Sequence, residues 1–256
     1  MRPSDPAKNA ETVLLTGGGG RLGSELRGLM PDIIAPTRSE LDICRPDTIR
    51  AVLDRCPVTV VVHAAAYTNV TGAEREPRAC WETNVGGTRN LVAVLLERRI
   101  DLIHISTDYV FYGDRGNYDE ESSVGPVRNI YALSKLVSEE IARMAPNHLV
   151  IRTSFRPRQW PYPVAFSDLF TSQDYVDVIA PEIALAIRRR RDIPHGTIHI
   201  ATERKSVFEL ARRRKPDVVA GSRLSSAVEL PEDVSLDTTR WKHLKRRWEE
   251  DSGDRP

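Results

Sequence analysis

Short apolar runs alternate with longer amphipathic stretches through the first half of the chain. Five short runs are rich in β-branched residues, which is typical of buried strands: TVLLT, DIIAP, VTVVVHAAA, DLIHIST and HLVIRTS. Apolar residues recur at helical spacing in the stretches between them: RLGSELRGLM, PDTIRAVLDRC, about residues 73–99, and NIYALSKLVSEEIARM. Strands that alternate with helices predict an α/β fold of parallel βαβ units, in which helices cover both faces of one sheet.

The pattern changes after Arg152. The stretch RPRQWPYPVAFSDLF is rich in proline and aromatic residues, which predicts a structured loop rather than a regular helix. Beyond it we expect a helix over about residues 175–191, a strand at GTIHIA and a helix at KSVFELARRR. The two polar ends, residues 1–11 and 249–256, are expected to be disordered.

Composition bears on the expected partners and on the cellular compartment. Lysine plus arginine (37) nearly cancels aspartate plus glutamate (36), which gives no reason to expect a nucleic-acid or membrane partner. The apolar stretch near the N-terminus is too short for a signal or transmembrane segment. Three cysteines without a CxxC pair favour reduced thiols in the cytoplasm and offer no metal site.

Glycines cluster where the first predicted strand meets the first predicted helix. Gly17, Gly20 and Gly23 have the G-x-x-G-x-x-G spacing, and Arg21 and Leu22 lie between the last two. Without a Cβ, the chain can turn tightly, admit a pyrophosphate to the backbone amides and bring the helix close to its strand. The helix N-terminus would then face the anion. A dinucleotide site is the main interpretation, and a merely permissive turn is the alternative.

The end of the second predicted strand bears on which dinucleotide is bound. In NAD sites an acidic residue at this place holds the ribose hydroxyls, but here the sequence reads Ala35-Pro36-Thr37-Arg38. Arg38 can pair with a 2′-phosphate, which favours NADP over NAD. Glu40 and Asp42 lie close by and complicate that choice, and an ordinary surface arginine is the alternative.

Residues suited to carbonyl chemistry follow downstream. Tyr131 and Lys135 stand one helical turn apart, so the ammonium is expected to lower the pKa of the tyrosine. Lysine occurs only six times in the chain, which adds weight to its place there. Ser106, Thr107 and Asp108 end the fourth predicted strand, at the sheet edge where open α/β sheets bind ligands. A phenol and a hydroxyl there could exchange a proton with a carbonyl oxygen and orient it.

Several segments together resemble a known superfamily. TGGGGRLG, VVHAAAYTNVTGAERE, ETNVGGTRNL, HISTDYVF and YALSK are similar to the extended short-chain dehydrogenases/reductases, and specifically to the dTDP-4-dehydrorhamnose reductase branch. The resemblance implies a Rossmann-type doubly wound parallel sheet over residues 12–153. It implies a catalytic set of Thr107, Tyr131 and Lys135. Around the cofactor it implies Asp42, Ile43, Ala64, Ala65 and Tyr67, with Asn84 supporting the site.

The chain departs from that family in two places. After STDYV the family carries FDG, whereas this sequence has Phe111-Tyr112-Gly113. The region after RTSF, residues 154–248, is shorter than in the family, which implies a small substrate lobe interleaved with the last elements of the sheet. Arg152, Arg156 and Arg158 could clamp a diphosphate and Trp160 or Tyr162 could stack on a base, or the aromatics could simply anchor the loop.

The resemblance implies an NADP(H)- or NAD(H)-dependent reductase of a nucleotide-linked 4-keto-6-deoxysugar. A sugar-nucleotide epimerase of the same superfamily is one alternative. A cofactor-binding subunit without turnover, similar to the regulatory β subunit of methionine adenosyltransferase, is another, and the short lobe would suit it. A homodimer is possible by analogy with related enzymes.

Overall fold

One five-stranded parallel sheet organises the chain in the computed structural model, which describes residues 11–194 and 196–251. The strands in chain order are β1 (Val13–Thr16), β2 (Val60–His63), β3 (Asp101–Thr107), β4 (His148–Thr153), β5 (Phe155–Arg156), β6 (Val164–Phe166), β7 (Phe170–Thr171), β8 (Asp174–Tyr175), β9 (Gly196–His199), β10 (Lys205–Ser206) and β11 (Val219–Gly221). The main sheet has the order β1-β2-β3-β4-β9. The carboxyl ends of all five strands therefore meet at one edge.

Helices cover both faces of this sheet. They are α1 (Arg21–Leu29), α2 (Pro46–Leu53), α3 (Val70–Arg75), α4 (Pro77–Trp81), α5 (Gly87–Arg98), α6 (Ile130–Ala142), α7 (Val176–Arg188), α8 (Val207–Arg212) and α9 (Thr239–Asp251). One buried cluster joins the sheet to α1, α7 and α9, and a second joins it to α2, α5 and α6. The predicted α/β architecture of Rossmann type is confirmed.

The remaining short strands form a small lobe beside the carboxyl edge. β5 pairs with β8 and β6 with β11 in parallel, and β7 pairs with β10 in antiparallel fashion. Trp160, Leu169 and Val207 form the centre of its separate apolar cluster. Because β9 and α7 follow β6–β8 in the chain, the lobe is inserted between parts of the sheet domain.

Two predicted elements differ in the structure. The expected DIIAP strand is reduced to one bridge between Leu14 and Ile34, since Pro36 offers no amide hydrogen to extend the pairing. The expected helix over residues 73–99 is divided into α3, α4, a π-helical turn at Glu82–Gly86, and α5. Pro77 causes the first break, because it forces Glu76 out of the helical region, to φ −126° and ψ 55°.

The last helix was not foreseen. α9 buries Trp241, Leu244 and Trp248 against the α1 and α7 face of the sheet. The prediction of a disordered tail from residue 249 is wrong up to Asp251, where α9 ends. Residues 1–10 and 252–256, also predicted to be disordered, lie outside the described residues. Within the two described ranges, no helix combines the length and the apolar character needed to cross a membrane.

Candidate functional site

A cleft of about 830 Å³ lies along the carboxyl edge of the sheet, between the glycine loop and the small lobe. Most of the residues singled out in the sequence line it: Gly17, Gly20, Arg21, Leu22, Gly23, Arg38, Asp42, Ile43, Ala64, Ala65, Ser106, Thr107, Asp108, Tyr131, Lys135 and Arg156. The fold thus brings together segments that are more than a hundred residues apart in the chain. It also places the candidate cofactor and substrate residues in one continuous space.

The glycine loop forms one end of the cleft. Gly17 has φ +75°, and a Cβ there would lie 2.7 Å from the backbone nitrogen of Ala65. A Cβ on Gly23 would lie 2.2 Å from the carbonyl oxygen of Gly17. The first turn of α1 could therefore not pack beneath the loop with any larger residue at position 23. Gly20 caps α1 without a side-chain hydrogen bond, which leaves the first amides of the helix directed at the cleft. These features fit a pyrophosphate.

Arg38 lies at the adjoining end of the cleft, where the second predicted strand would have ended. Its side chain is 84% exposed and its Nε is 3.9 Å from the carboxylate of Asp42. Glu40 is turned away, since its Oε2 accepts hydrogen bonds from the amide and hydroxyl of Thr37 at 2.8 Å each. Arg27 of α1 also lines this end, and Ala35 stands where NAD sites carry an acid. The surroundings fit a 2′-phosphate.

Tyr131 stands in the first turn of α6, at the middle of the cleft. The side chain of Asn129 caps this helix by accepting a hydrogen bond from the amide of Ala132 at 2.9 Å. Burial raises the pKa of Tyr131 above its ordinary value, and a hydrogen bond with Thr107 opposes the shift less strongly. The sequence analysis expected Lys135 to lower this pKa, but burial of the phenol outweighs the ammonium, so the net pKa is raised.

Lys135 lies one turn below Tyr131 and is 4% exposed. Its Nζ donates a hydrogen bond to the carbonyl oxygen of Ile105 at 2.8 Å and lies 3.5 Å from Nε2 of His104. Burial lowers the pKa of Lys135 to about 8. The ammonium still lines the cleft, so it can act on a bound molecule from beneath.

Asp108 is a second ionisable group in the cleft, and it is 1% exposed. Its carboxylate accepts hydrogen bonds from the hydroxyls of Thr107 at 3.1 Å and Thr171 at 3.4 Å. Burial raises the pKa of Asp108 to about 7, although the hydrogen bond from Thr107 and the charge of Arg156 lower it in part. This carboxyl therefore links the end of β3 to β7 of the small lobe.

Comparisons with known proteins agree with this geometry. Residues 11–180 match the family described as the RmlD substrate binding domain. The chain belongs to this family. A dTDP-4-dehydrorhamnose reductase of Aggregatibacter actinomycetemcomitans is 32% identical over 180 residues, which cover 67% of this chain and 61% of that protein. A dTDP-4-keto-6-deoxy-D-glucose reductase of Streptomyces niveus is 39% identical over 149 residues, covering 56% of this chain and 51% of that protein.

A solved structure extends the likeness to the whole fold. The crystal structure of dTDP-4-dehydrorhamnose reductase from Bacillus anthracis in complex with NADP aligns with a TM-score of 0.79 at 26% identity. The alignment covers 95% of this chain and 100% of that one. By contrast, the match to the curated sequences spans only half to three fifths of their length.

Four residues suggested for substrate binding do not line the cleft: Arg152, Arg158, Trp160 and Tyr162. Arg152 is 3% exposed, and its guanidinium forms a bidentate ion pair with the buried carboxylate of Glu139. Trp160 is 6% exposed and belongs to the core of the small lobe. The predictions for Arg152 and Trp160 are contradicted, because the ion pair with Glu139 holds the guanidinium away from the cleft and lobe packing buries the indole. Arg158 is also held elsewhere, by Glu25 on α1.

Tyr67 and Asn84, predicted near the cofactor, lie behind the cleft wall rather than in it. Asn84 is 2% exposed, and its Oδ1 accepts a hydrogen bond from the amide of Tyr67 at 2.7 Å. The phenol of Tyr67 points away and donates to Glu76 at 3.0 Å. The backbone of Tyr67 therefore supports the cleft wall, and Asn84 holds that backbone in place.

Other cleft residues were missed by the sequence analysis. They are Gly18, Arg27, Thr68, Thr83, Tyr109, Ser154, Phe155, Leu169, Thr171, Gln173 and Val234, among others. Ser154 and Phe155 directly follow β4, and their place after a buried strand is a signal that could have found them. Thr171, Gln173 and Val234 come from the lobe and from the segment after it, where no regular pattern marks their orientation.

Proposed function

We propose that this protein is an NADPH-dependent reductase of a nucleotide-linked 4-keto-6-deoxysugar, similar to dTDP-4-dehydrorhamnose reductase. One observation carries the proposal: Thr107, Tyr131 and Lys135 converge in the same cleft as the glycine loop. Membership in the family and the names of its relatives support the same reaction class. An intact set of proton-handling groups argues against a subunit without turnover.

The cleft offers a fitting place for the cofactor. Its glycine loop leaves no room for side chains at Gly17 and Gly23, and Arg38 can neutralise a 2′-phosphate. The Bacillus anthracis relative, solved with NADP, supports NADPH over NADH. When NADPH is bound, the chemistry it supplies is a hydride for the keto carbon of the sugar.

The protein's own residues would handle the proton and the developing charge. The hydroxyl of Tyr131 donates its proton to the keto oxygen, and its raised pKa keeps that proton in place at neutral pH. The Thr107 hydroxyl, which donates to Asp108 when no substrate is bound, would turn to donate to the same oxygen and orient the carbonyl. The ammonium of Lys135, beneath Tyr131, favours negative charge on the phenol oxygen as the proton leaves.

The substrate end of the cleft is polar on one side. Ser154, Arg156, Thr171 and Gln173 line it. Within the described residues, the buried Oγ of Ser106 and Nε of Arg156 have no hydrogen-bond partner in the protein. Because buried polar atoms rarely remain unpaired, we assign them to hydroxyl or phosphate oxygens of the nucleotide sugar.

The state of the cysteines bears on the cellular compartment. Cys44, Cys56 and Cys80 are free thiols, which suits the cytoplasm, where nucleotide sugars and NADPH are available. A homodimer stays a prediction.

The reductase proposal is tested by binding and turnover together. We expect the protein to bind NADPH more tightly than NADH and to oxidise NADPH in the presence of one member of a panel of nucleotide-linked 4-keto-6-deoxysugars. Tyr131→Phe should reduce turnover by at least a hundredfold while leaving the dissociation constant of NADPH within a factor of about three. Tyr112→Phe is the matched control, since Tyr112 lies outside the cleft. Tight NADPH binding without turnover of any sugar would overturn the proposal in favour of a non-catalytic subunit.

A further inference from the structure

A buried chain of hydrogen bonds runs from the wall of the cleft to the turn of α6 that carries Tyr131. Its members are His63 on β2, Thr88 on α5, Asn84 in the π-helical turn and Ser134 on α6. Each of the four is at most 2% exposed. Neither His63 nor Thr88 has a place in the proposed chemistry.

The direction of each hydrogen bond in the first half of the chain is fixed by its partners. The Thr88 hydroxyl donates to the carbonyl oxygen of Asn84 at 2.6 Å, and a carbonyl can only accept. Thr88 Oγ1 must therefore accept from Nε2 of His63, which is 3.1 Å away. Burial lowers the pKa of His63 to about 3, so the ring is neutral.

A neutral ring that donates from Nε2 accepts at Nδ1. The hydroxyl of Thr16, at the end of β1, donates to that atom at 2.8 Å. Thr16 Oγ1 in turn accepts from the amide of Ala65 at 3.3 Å, and Ala65 lines the cleft. Both ring nitrogens of His63 are thus used, and the ring connects the cleft wall to α5.

The second half of the chain reaches the catalytic helix. The side chain of Asn84 pairs with the backbone of Tyr67, accepting from its amide at 2.7 Å and donating to its carbonyl at 3.1 Å. The same amide group donates to Ser134 Oγ at 2.9 Å. Ser134 then donates to the carbonyl oxygen of Tyr131 at 2.7 Å. One asparagine therefore joins the wall segment at Tyr67 to the turn that holds the phenol.

We propose that His63 is a positioning residue, which fixes Tyr131 relative to the cofactor wall through Thr88, Asn84 and Ser134. The π-helical turn is part of the device, because it carries Asn84, whose carbonyl accepts from Thr88 and whose side chain donates to Ser134. A fully satisfied polar network in a buried place holds its members in one arrangement. Loss of one link leaves the others unpaired and free to shift.

The first test compares two replacements of His63. His63→Leu removes both links, and we expect kcat for sugar reduction to fall about tenfold to a hundredfold with a smaller change in KM, since a small displacement of a catalytic group is costly. His63→Gln keeps a donor for Thr88 and should recover a large part of that loss. His199→Leu is the control: His199 is equally buried on β9, but its ring pairs with the carbonyl of Asp237 and not with the network, so kcat should stay within a factor of about two.

The second test asks whether His63 acts through the chain. Ser134 is separated from His63 by two residues of the network, so independent effects would multiply. We expect His63→Leu and Ser134→Ala combined to lower kcat little more than the stronger single change. Strictly multiplicative effects, or full kcat in His63→Leu, would overturn the proposal. If His63→Leu does not fold, Thr88→Val replaces it in the same cycle.

An activity-independent measurement separates this inference from the proposed function on which it rests. The Tyr67 amide donates a hydrogen bond to the side chain of Asn84. Hydrogen exchange of this amide should become at least tenfold faster in His63→Leu and remain unchanged in His199→Leu. Absence of sugar reduction by the unmodified protein would defeat the reductase proposal alone. Unchanged exchange at Tyr67 would defeat the positioning role, whatever the activity.

Discussion

Arg152 and Glu139 form a bidentate ion pair between β4 and α6, with Nη2 2.9 Å from Oε2 and Nε 3.1 Å from Oε1. Their side chains are 3% and 0% exposed. Glu139 lies four residues beyond Lys135 along α6, and the pair joins this helix to the sheet. An arginine that the sequence suggested for substrate binding thus serves to hold α6 on the sheet.

Breaking this pair on one side should be costly. Glu139→Gln leaves the guanidinium buried without its counter-charge, and we expect the free energy of unfolding to fall by about 3–5 kcal/mol. The double change Glu139→Gln with Arg152→Met removes both charges and should cost less than Glu139→Gln alone. Urea unfolding of the three proteins checks the order. A double variant less stable than the single one would contradict it.

Lys135 should make stability depend on pH in the alkaline range. Its pKa is lowered from 10.5 to about 8, so between these values the unfolded chain binds more protons than the folded protein. The free energy of unfolding then rises with pH. We expect the free energy of unfolding of the unmodified protein, minus that of Lys135→Met, to increase by about 1–2 kcal/mol from about pH 8 to pH 9.5. A difference that stays flat, measured by chemical denaturation, would show that the lysine is not desolvated.

Gly23→Ala should damage the cofactor loop. The added Cβ would lie 2.2 Å from the Gly17 carbonyl oxygen, so the loop or the start of α1 must move. We expect NADPH affinity to fall at least tenfold, measured by fluorescence titration. Gly28→Ala in the same helix is the control, because among the described residues no atom outside the local backbone of α1 lies within 4 Å of its Cβ position. That change should leave affinity intact and add up to about 1 kcal/mol of stability.

Arg38→Ala should change the choice of cofactor. The guanidinium is 84% exposed, so a contact with the 2′-phosphate of NADPH would be screened by salt. We expect about tenfold weaker binding of NADPH at low ionic strength, a smaller effect at high salt, and unchanged binding of NADH. Equal weakening of both cofactors would assign Arg38 to the pyrophosphate or to the loop instead.

The sequence analysis succeeded where chemistry and periodicity point the same way. A Cβ at Gly17 or Gly23 would clash with neighbouring backbone atoms, so only glycine fits there. The strand that ends at Thr107 is a short apolar run in the sequence, and it is buried from Leu102 to Thr107. Local requirements of this kind can be predicted from a single sequence. Helical spacing placed Tyr131 and Lys135 one turn apart on one face, and the family resemblance gave the pair its expected role.

It failed where tertiary packing decides the outcome. Arg152 reads as a free cation, but its partner Glu139 lies on another element. α9 is so rich in charge that its apolar spacing at Trp241, Leu244 and Trp248 is easily overlooked, although that i, i+3, i+7 pattern was a usable signal. The chain between β2 and α5 resisted prediction because the break before Pro77 and the π-helical turn interrupt one amphipathic pattern.

The late position of α7 and α9 in the chain bears on synthesis at the ribosome. The apolar face built by β1, β3 and α1 is covered only when residues 176–251 arrive. At about 5–20 residues per second, on the order of ten seconds separate the emergence of β3 from that of α7. During this interval the apolar face of the nascent chain is exposed to solvent. Chaperone binding in the cell is therefore expected to concentrate on chains of intermediate length and to end when α9 docks.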